Sequence, residues 1–250
     1  MLSSSPLFSQ PLCRTDIMNG DQLIQTSKLA EFGKYDFSRL WVKTENRLVY
    51  GVFGDDNQRI LIKILSVEKD SKNPGVYLVT GKSSVRENVC DFAGKINTQQ
   101  IQESIRSKFG VDDEFKDLSK TQGVLTARYE FFENKSQKHS GIFIGELKTK
   151  WYLDKNNQIQ YDDINAHSDG FFNNAFVGSW KTYNSNLNKK CNWGDYRVPN
   201  IDCDFDLGAG EFSVSKKYWN KGWLDIALKN KMPNGIIETK TGKTKMEWWQ

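Results

Sequence analysis

The residues best equipped for chemistry lie between Ser168 and Phe212, in the stretches SDGFFNNAFVGSW, CNWGDYRVP and DCDFDLGAGEF. Polar side chains interleaved with glycine and aromatic rings build either a binding loop or ordinary strand-capping turns. A site here would draw polar contacts from Asp169, Asn173, Asn174, Asp195, Arg197 and Glu211, with Trp180 and Trp193 as walls. Asp202, Asp204 and Asp206 alternate, so an extended chain sets all three on one face, and their oxygens suit calcium. The EF-hand pattern then fails, because Leu207 takes the glycine position and Ser213 the terminal glutamate position. A solvated acidic loop is the expectation there, with a calcium site of another kind as the alternative.

Other candidate sets are thinner. Asp225 followed by Glu238-Thr239-Lys240 has the residue order of metal-dependent nucleases, but the segment lies in a lysine-rich stretch with little apolar support. His139-Ser140 and His167-Ser168-Asp169 bring hydrolase residue types together in sequence without a Gly-x-Ser-x-Gly elbow, so surface turns are expected. Two histidines are too few for a multi-histidine metal site. There is no phosphate-cradling glycine loop or dinucleotide fingerprint, and no cofactor is expected.

The elements that must position these residues announce themselves by a repeat. Phe92-Gly94-Ile96, Phe143-Gly145-Leu147 and Phe176-Gly178-Trp180 each place three residues two apart, on one face of a strand. Glycine inside a strand marks a bend or a close backbone approach, and repeated bends let a sheet curl shut. Strand-like runs occupy 47–53, 59–67, 76–82, 89–96, 123–132, 141–153, 158–161 and 174–183, with shorter ones near 191–193 and 211–214. Turn chemistry separates them, as in Gly54-Asp55-Asp56-Asn57 and Asp154-Lys155-Asn156-Asn157. Ile60, Ile62 and Ile64 alternate with Leu61, Lys63 and Leu65, a pattern expected of burial on both faces. Residues 98–109 carry Ile101, Ile105 and Phe109 at steps of four, which predicts a helix ended by Gly110. Residues 11–35 predict at most a short helix or a strand across the barrel mouth.

Composition sets the frame. The 250 residues are 38% hydrophobic and 26% charged, and carry eight tryptophans. These values describe a folded chain, and no apolar run is long enough for a membrane-spanning helix. The net charge of +4 is concentrated late: residues 216–250 hold eight lysines and three acids, a net of +5. That stretch has no arginine, whose fork reads phosphates and base edges, so no dedicated nucleic-acid site is expected. Residues 1–10 resemble the end of an export signal, implying a secreted or periplasmic protein; a cytoplasmic one is the alternative. Under oxidising conditions Cys191–Cys203 and Cys13–Cys90 are the favoured pairs, with reduced buried thiols otherwise.

Glycine-punctuated strands, a helix and Gly178-Ser179-Trp180 together resemble the calycin group, the lipocalin-like and fatty-acid-binding barrels, over residues 40–183. Lipocalins carry Gly-x-Trp on their first strand, whereas here it lies in the second half, so no functional residue is carried across. The expected fold is mainly β: an antiparallel meander closing into a barrel of about eight to ten strands, with one or two short helices and a loop-rich C-terminal region. Residues 1–10 would be the signal remnant, 11–228 the barrel domain and 229–250 a basic tail. The leading expectation is a non-enzymatic protein holding a small, partly apolar ligand in the aromatic interior or at the 168–212 loops. The alternatives are a protein-interaction module, an inhibitor or immunity-type factor anchored by Trp248-Trp249, and a metal-assisted hydrolase built on the acidic loop.

Overall fold

A computed structural model describes residues 22–229 and 247–250. Nine strands are formed among them: β1 (Val49–Phe53), β2 (Gln58–Lys69), β3 (Val76–Val85), β4 (Asn88–Glu103), β5 (Ser119–Glu133), β6 (Gly141–Asp154), β7 (Ile159–Tyr161), β8 (Asn173–Thr182) and β9 (Asn188–Asp195). All pairings are antiparallel, β5 pairs with β6, and β9 returns to β1, so eight strands close a barrel. β7 is a short addition that extends the β6 edge beyond β8. The expected mainly β, closed antiparallel fold is thus observed.

Period-two alternation points one set of side chains inward. Ile60, Ile62 and Ile64 come from β2, Tyr129 and Phe131 from β5, Phe143, Leu147 and Trp151 from β6, and Phe176 and Trp180 from β8. The second face of β2 is only half-covered, with Leu65 47% exposed, so the expected burial on both faces is not found. Trp193 from β9 sits in the middle, stacked on Phe176 at 4.6 Å and edge-on to Tyr129 at 5.2 Å. The centre of the barrel is therefore packed with rings.

Two repeat glycines make that packing possible. Gly145 and Gly178 are direct cross-strand partners. A Cβ on either would lie 2.6 Å from the Tyr129 hydroxyl and 2.2 Å from a neighbouring-strand carbonyl oxygen. The tyrosine fills the space the missing side chains leave.

The helix expected over 98–109 does not form. Residues 98–103 continue β4, and a bulge between Thr98 and Gln100 shifts the pairing with β5. The bulge breaks the alternation, so Ile96, Thr98 and Ile101 all turn inward while Ile105 is exposed. The spacing of four thus came from an irregular strand and the turn after it. The short helix expected in the N-terminal stretch is α1 (Leu29–Phe32), and a 3-10 turn at Ser38–Trp41 follows it. Phe32 and Phe37 pack on Trp151, Trp41 meets Tyr77 edge-on, and these rings plug one end of the barrel.

The chain after β9 folds back over the outside. Val198, Ile201, Phe205, Phe212, Val214, Tyr218 and Trp223 form a second core against Tyr50 and Val52, the outward residues of β1. It ends in α2 (Leu224–Lys229). Cys90 and Cys191 are free and buried, while Cys203 is disulfide-bonded. The expected Cys191–Cys203 and Cys13–Cys90 bridges are corrected accordingly, since Cys191 lies inside the barrel wall and Cys203 in the outer loop. The expected signal remnant at 1–10 and most of the basic tail lie outside the described residues.

The close approach at Gly145 gives a direct test. Gly145→Ala should lower unfolding stability by about 2 kcal/mol or more, the cost typical of overpacking. Gly75→Ala, where a Cβ would meet nothing nearer than Thr98 O at 4.0 Å, should change it by less than about 0.5 kcal/mol. Urea denaturation followed by circular dichroism measures both.

Candidate functional site

The hairpins β1–β2, β3–β4, β5–β6 and β8–β9 all turn at the end of the barrel opposite the plug, and that end is open. Between them lies a cavity of about 420 Å³. Phe53, Ile60, Phe143 and Trp180 line it as the inward residues at the ends of their strands. Arg86, Glu87, His139, Leu187 and Lys189 come from the turns and the strand ends beside them. Trp180 and Phe53 meet edge-on at 5.3 Å.

One buried acid also borders this cavity. Glu133 ends β5 in the same inward phase as Ala127, Tyr129 and Phe131, and is 5% exposed. Its Oε1 accepts from the Ser83 hydroxyl. Its Oε2 accepts from Trp180 Nε1 at 2.8 Å and from the Gly141 N–H at 2.8 Å. Burial raises its pKa, and the three donors partly oppose that shift. Ser83 bonds the carboxylate directly with no imidazole between, so the group is not arranged as a nucleophile with its base.

The residues singled out in 168–212 do not converge on one place. Trp180 lines the open mouth and Trp193 the barrel centre. Asn173, Asn174 and Asp195 belong to the plugged end. There Asp195 Oδ2 accepts from Thr44 at 2.7 Å, Tyr161 at 2.9 Å and Asn174 Nδ2 at 2.7 Å. Asn174 also donates to Leu40 O and accepts from Thr149, which in turn accepts from Trp41 Nε1. The network ties the plug to β6, β7, β8 and β9. Burial lifts the Asp195 pKa to about 7.

The remaining candidates lie in the outer loops. Arg197 reaches Asp206 at 2.5 Å and the carbonyls of Gly208, Ala209 and Gly210, stapling that loop. Asp169 and Glu211 are exposed. Asp204 pairs with Lys217 at 2.7 Å and Tyr218, Asp206 with Arg197, and Asp202 is exposed, so the three aspartates face different partners. Among the described residues no group of three His, Cys, Asp or Glu is placed to hold a metal. Asp225 pairs with Arg59 at 2.5 Å, and Glu238-Thr239-Lys240 lies outside the described residues. His167 is in an exposed turn, whereas His139 borders the cavity. Trp248 donates to Asn46 at 3.2 Å and Lys63 lies over Trp249 at 5.1 Å, so both rings rest on this chain's own barrel.

Sequence reasoning missed Glu133, Ser83 and Phe53. The available signal was parity: residue 133 continues the inward 127-129-131 series, which an acid at a strand end joins only when a polar partner or a cavity awaits it.

The buried acids set a pH dependence. The folded pKa of Asp195 lies above its ordinary value of 3.8, so its contribution is fully present below about pH 4 and is lost as pH rises through about 7. Unfolding stability should therefore fall by roughly 2 to 3 kcal/mol between pH 5 and 8, in the same direction as the smaller contribution of Glu133. Asp195→Asn should remove most of that decline. Denaturant midpoints measured across this range check it, and an unchanged slope in the variant would contradict it.

No family model matches the chain, and no curated protein or solved structure does.

Proposed function

We propose that this is a non-enzymatic binding protein that holds a small, partly apolar molecule in the open mouth of a calycin-like barrel. The observation that carries the reading is the cavity of about 420 Å³ where aromatic walls meet one buried carboxyl group. Ligand sites are typically concave, mainly apolar and few in polar groups, and their volumes begin near 300 Å³. The mouth has these properties, whereas the barrel centre is occupied by Tyr129, Phe131, Phe176 and Trp193. The likeness to calycins is one of architecture, so it supports ligand binding by analogy alone. The disulfide at Cys203 favours the exported setting over the cytoplasmic one.

A small-molecule library, including lipids, haems and sugars, screened by ligand-observed NMR and native mass spectrometry, tests this reading. Compounds should bind at the mouth and shift the resonances of Phe53 and Trp180. Val85 also lines the cavity, and Val85→Trp, which fills that space, should weaken them at least tenfold while the melting temperature stays within a few degrees. Unchanged binding in that variant, or no binder in the whole set, would refute the assignment.

A further inference from the structure

We propose that the mouth selects an organic cation: a compact apolar body carrying one protonated amine that pairs with Glu133. This rests on the binding function proposed above and names the ligand class of the same site.

An ionised carboxylate offers about four lone-pair positions. Glu133 uses three of them, on Ser83, Trp180 and Gly141, all neutral donors. Among the described residues no lysine or arginine pairs with it. The cations that line the cavity are engaged elsewhere: Arg86 Nε contacts Gln58 at 3.4 Å and Lys189 lies over the Phe53 ring at 5.0 Å. A carboxylate removed from water without a counter-ion is costly, and a bound cation supplies what the fold withholds.

The walls suit the same guest. The rings of Trp180 and Phe143 carry negative quadrupole density on their faces that attracts an ammonium group, while Phe53, already under Lys189, helps pack an apolar body. At the rim Asp56 is paired with Lys221 at 2.7 Å, and Glu87 stands against Arg86 and Lys189, so the unpaired carboxylate of Glu133 is what distinguishes the lining. An anionic guest would meet Glu133 unpaired. A neutral guest would leave its charge uncompensated. Charge discrimination is therefore built into the wall of the cavity.

The test compares matched indoles on the wild-type protein by isothermal calorimetry: tryptamine, its neutral analogue tryptophol and the anion indole-3-propionate. Tryptamine should bind at least about tenfold more tightly than tryptophol, a difference of about 1.4 kcal/mol, and indole-3-propionate weakest of all. In E133Q the tryptamine-to-tryptophol ratio should fall to within about twofold, with near-UV circular dichroism reporting the fold. Equal binding of tryptamine and tryptophol by the wild-type protein overturns the proposal without reference to any variant, as does a ratio that survives E133Q. If the indoles fail while other library compounds occupy the mouth, the cation assignment falls and the binding function stands. If nothing occupies the mouth, both fall.

Discussion

Closure of the sheet is the constraint on which everything else depends. Once β9 pairs with β1 over Val49–Phe53, every inward side chain shares one interior. An eight-stranded barrel is just wide enough for side chains to fill. Here the filling is done by large rings, and glycine is required where ring and backbone compete for the same volume, as at Gly145 and Gly178 beneath Tyr129. With the middle packed, open space of ligand size is left at an end.

The two ends are finished differently. At one, residues 29–41 lay Phe32, Phe37, Leu40 and Trp41 across the opening, and Asp195 gathers three hydrogen bonds, one from Asn174, which in turn holds Leu40 O. At the other, four hairpins leave the mouth uncovered, and Glu133 gathers three hydrogen bonds at its edge. Both acids are buried and both have raised pKa values. Asp195 serves to join elements of the fold. Glu133 joins β3, β6 and β8 in the same way, yet it also borders a cavity, and that second position makes it a functional candidate.

The strands were legible because alternation and turn residues act locally, and the barrel followed from the spacing of glycine with aromatics. The region 98–109 was misread because a bulge changes the phase of a strand and imitates a helical stripe. The site was harder to see for a physical reason. Asp, Asn and Gly are dense in 168–212 because that stretch holds the turn into β8, the β8–β9 hairpin and the loop after β9 that wraps the outside, where Arg197 holds carbonyls. Glu133, between Phe132 and Asn134, looks like any acid entering a turn. Its partners, Ser83 and Trp180, lie 50 and 47 residues away on β3 and β8, each two strands from β5, and meet it only because the sheet curls.

The central claim is a barrel solid at its centre and open at the hairpin mouth. Dissolved dioxygen, a small paramagnetic probe that enters cavities, tests it most directly through side-chain NMR relaxation. Strong enhancement is expected at Phe53, Phe143 and Trp180, and weak enhancement at Trp151 and Trp193. Equal enhancement at Trp193, or none at Trp180, would contradict it.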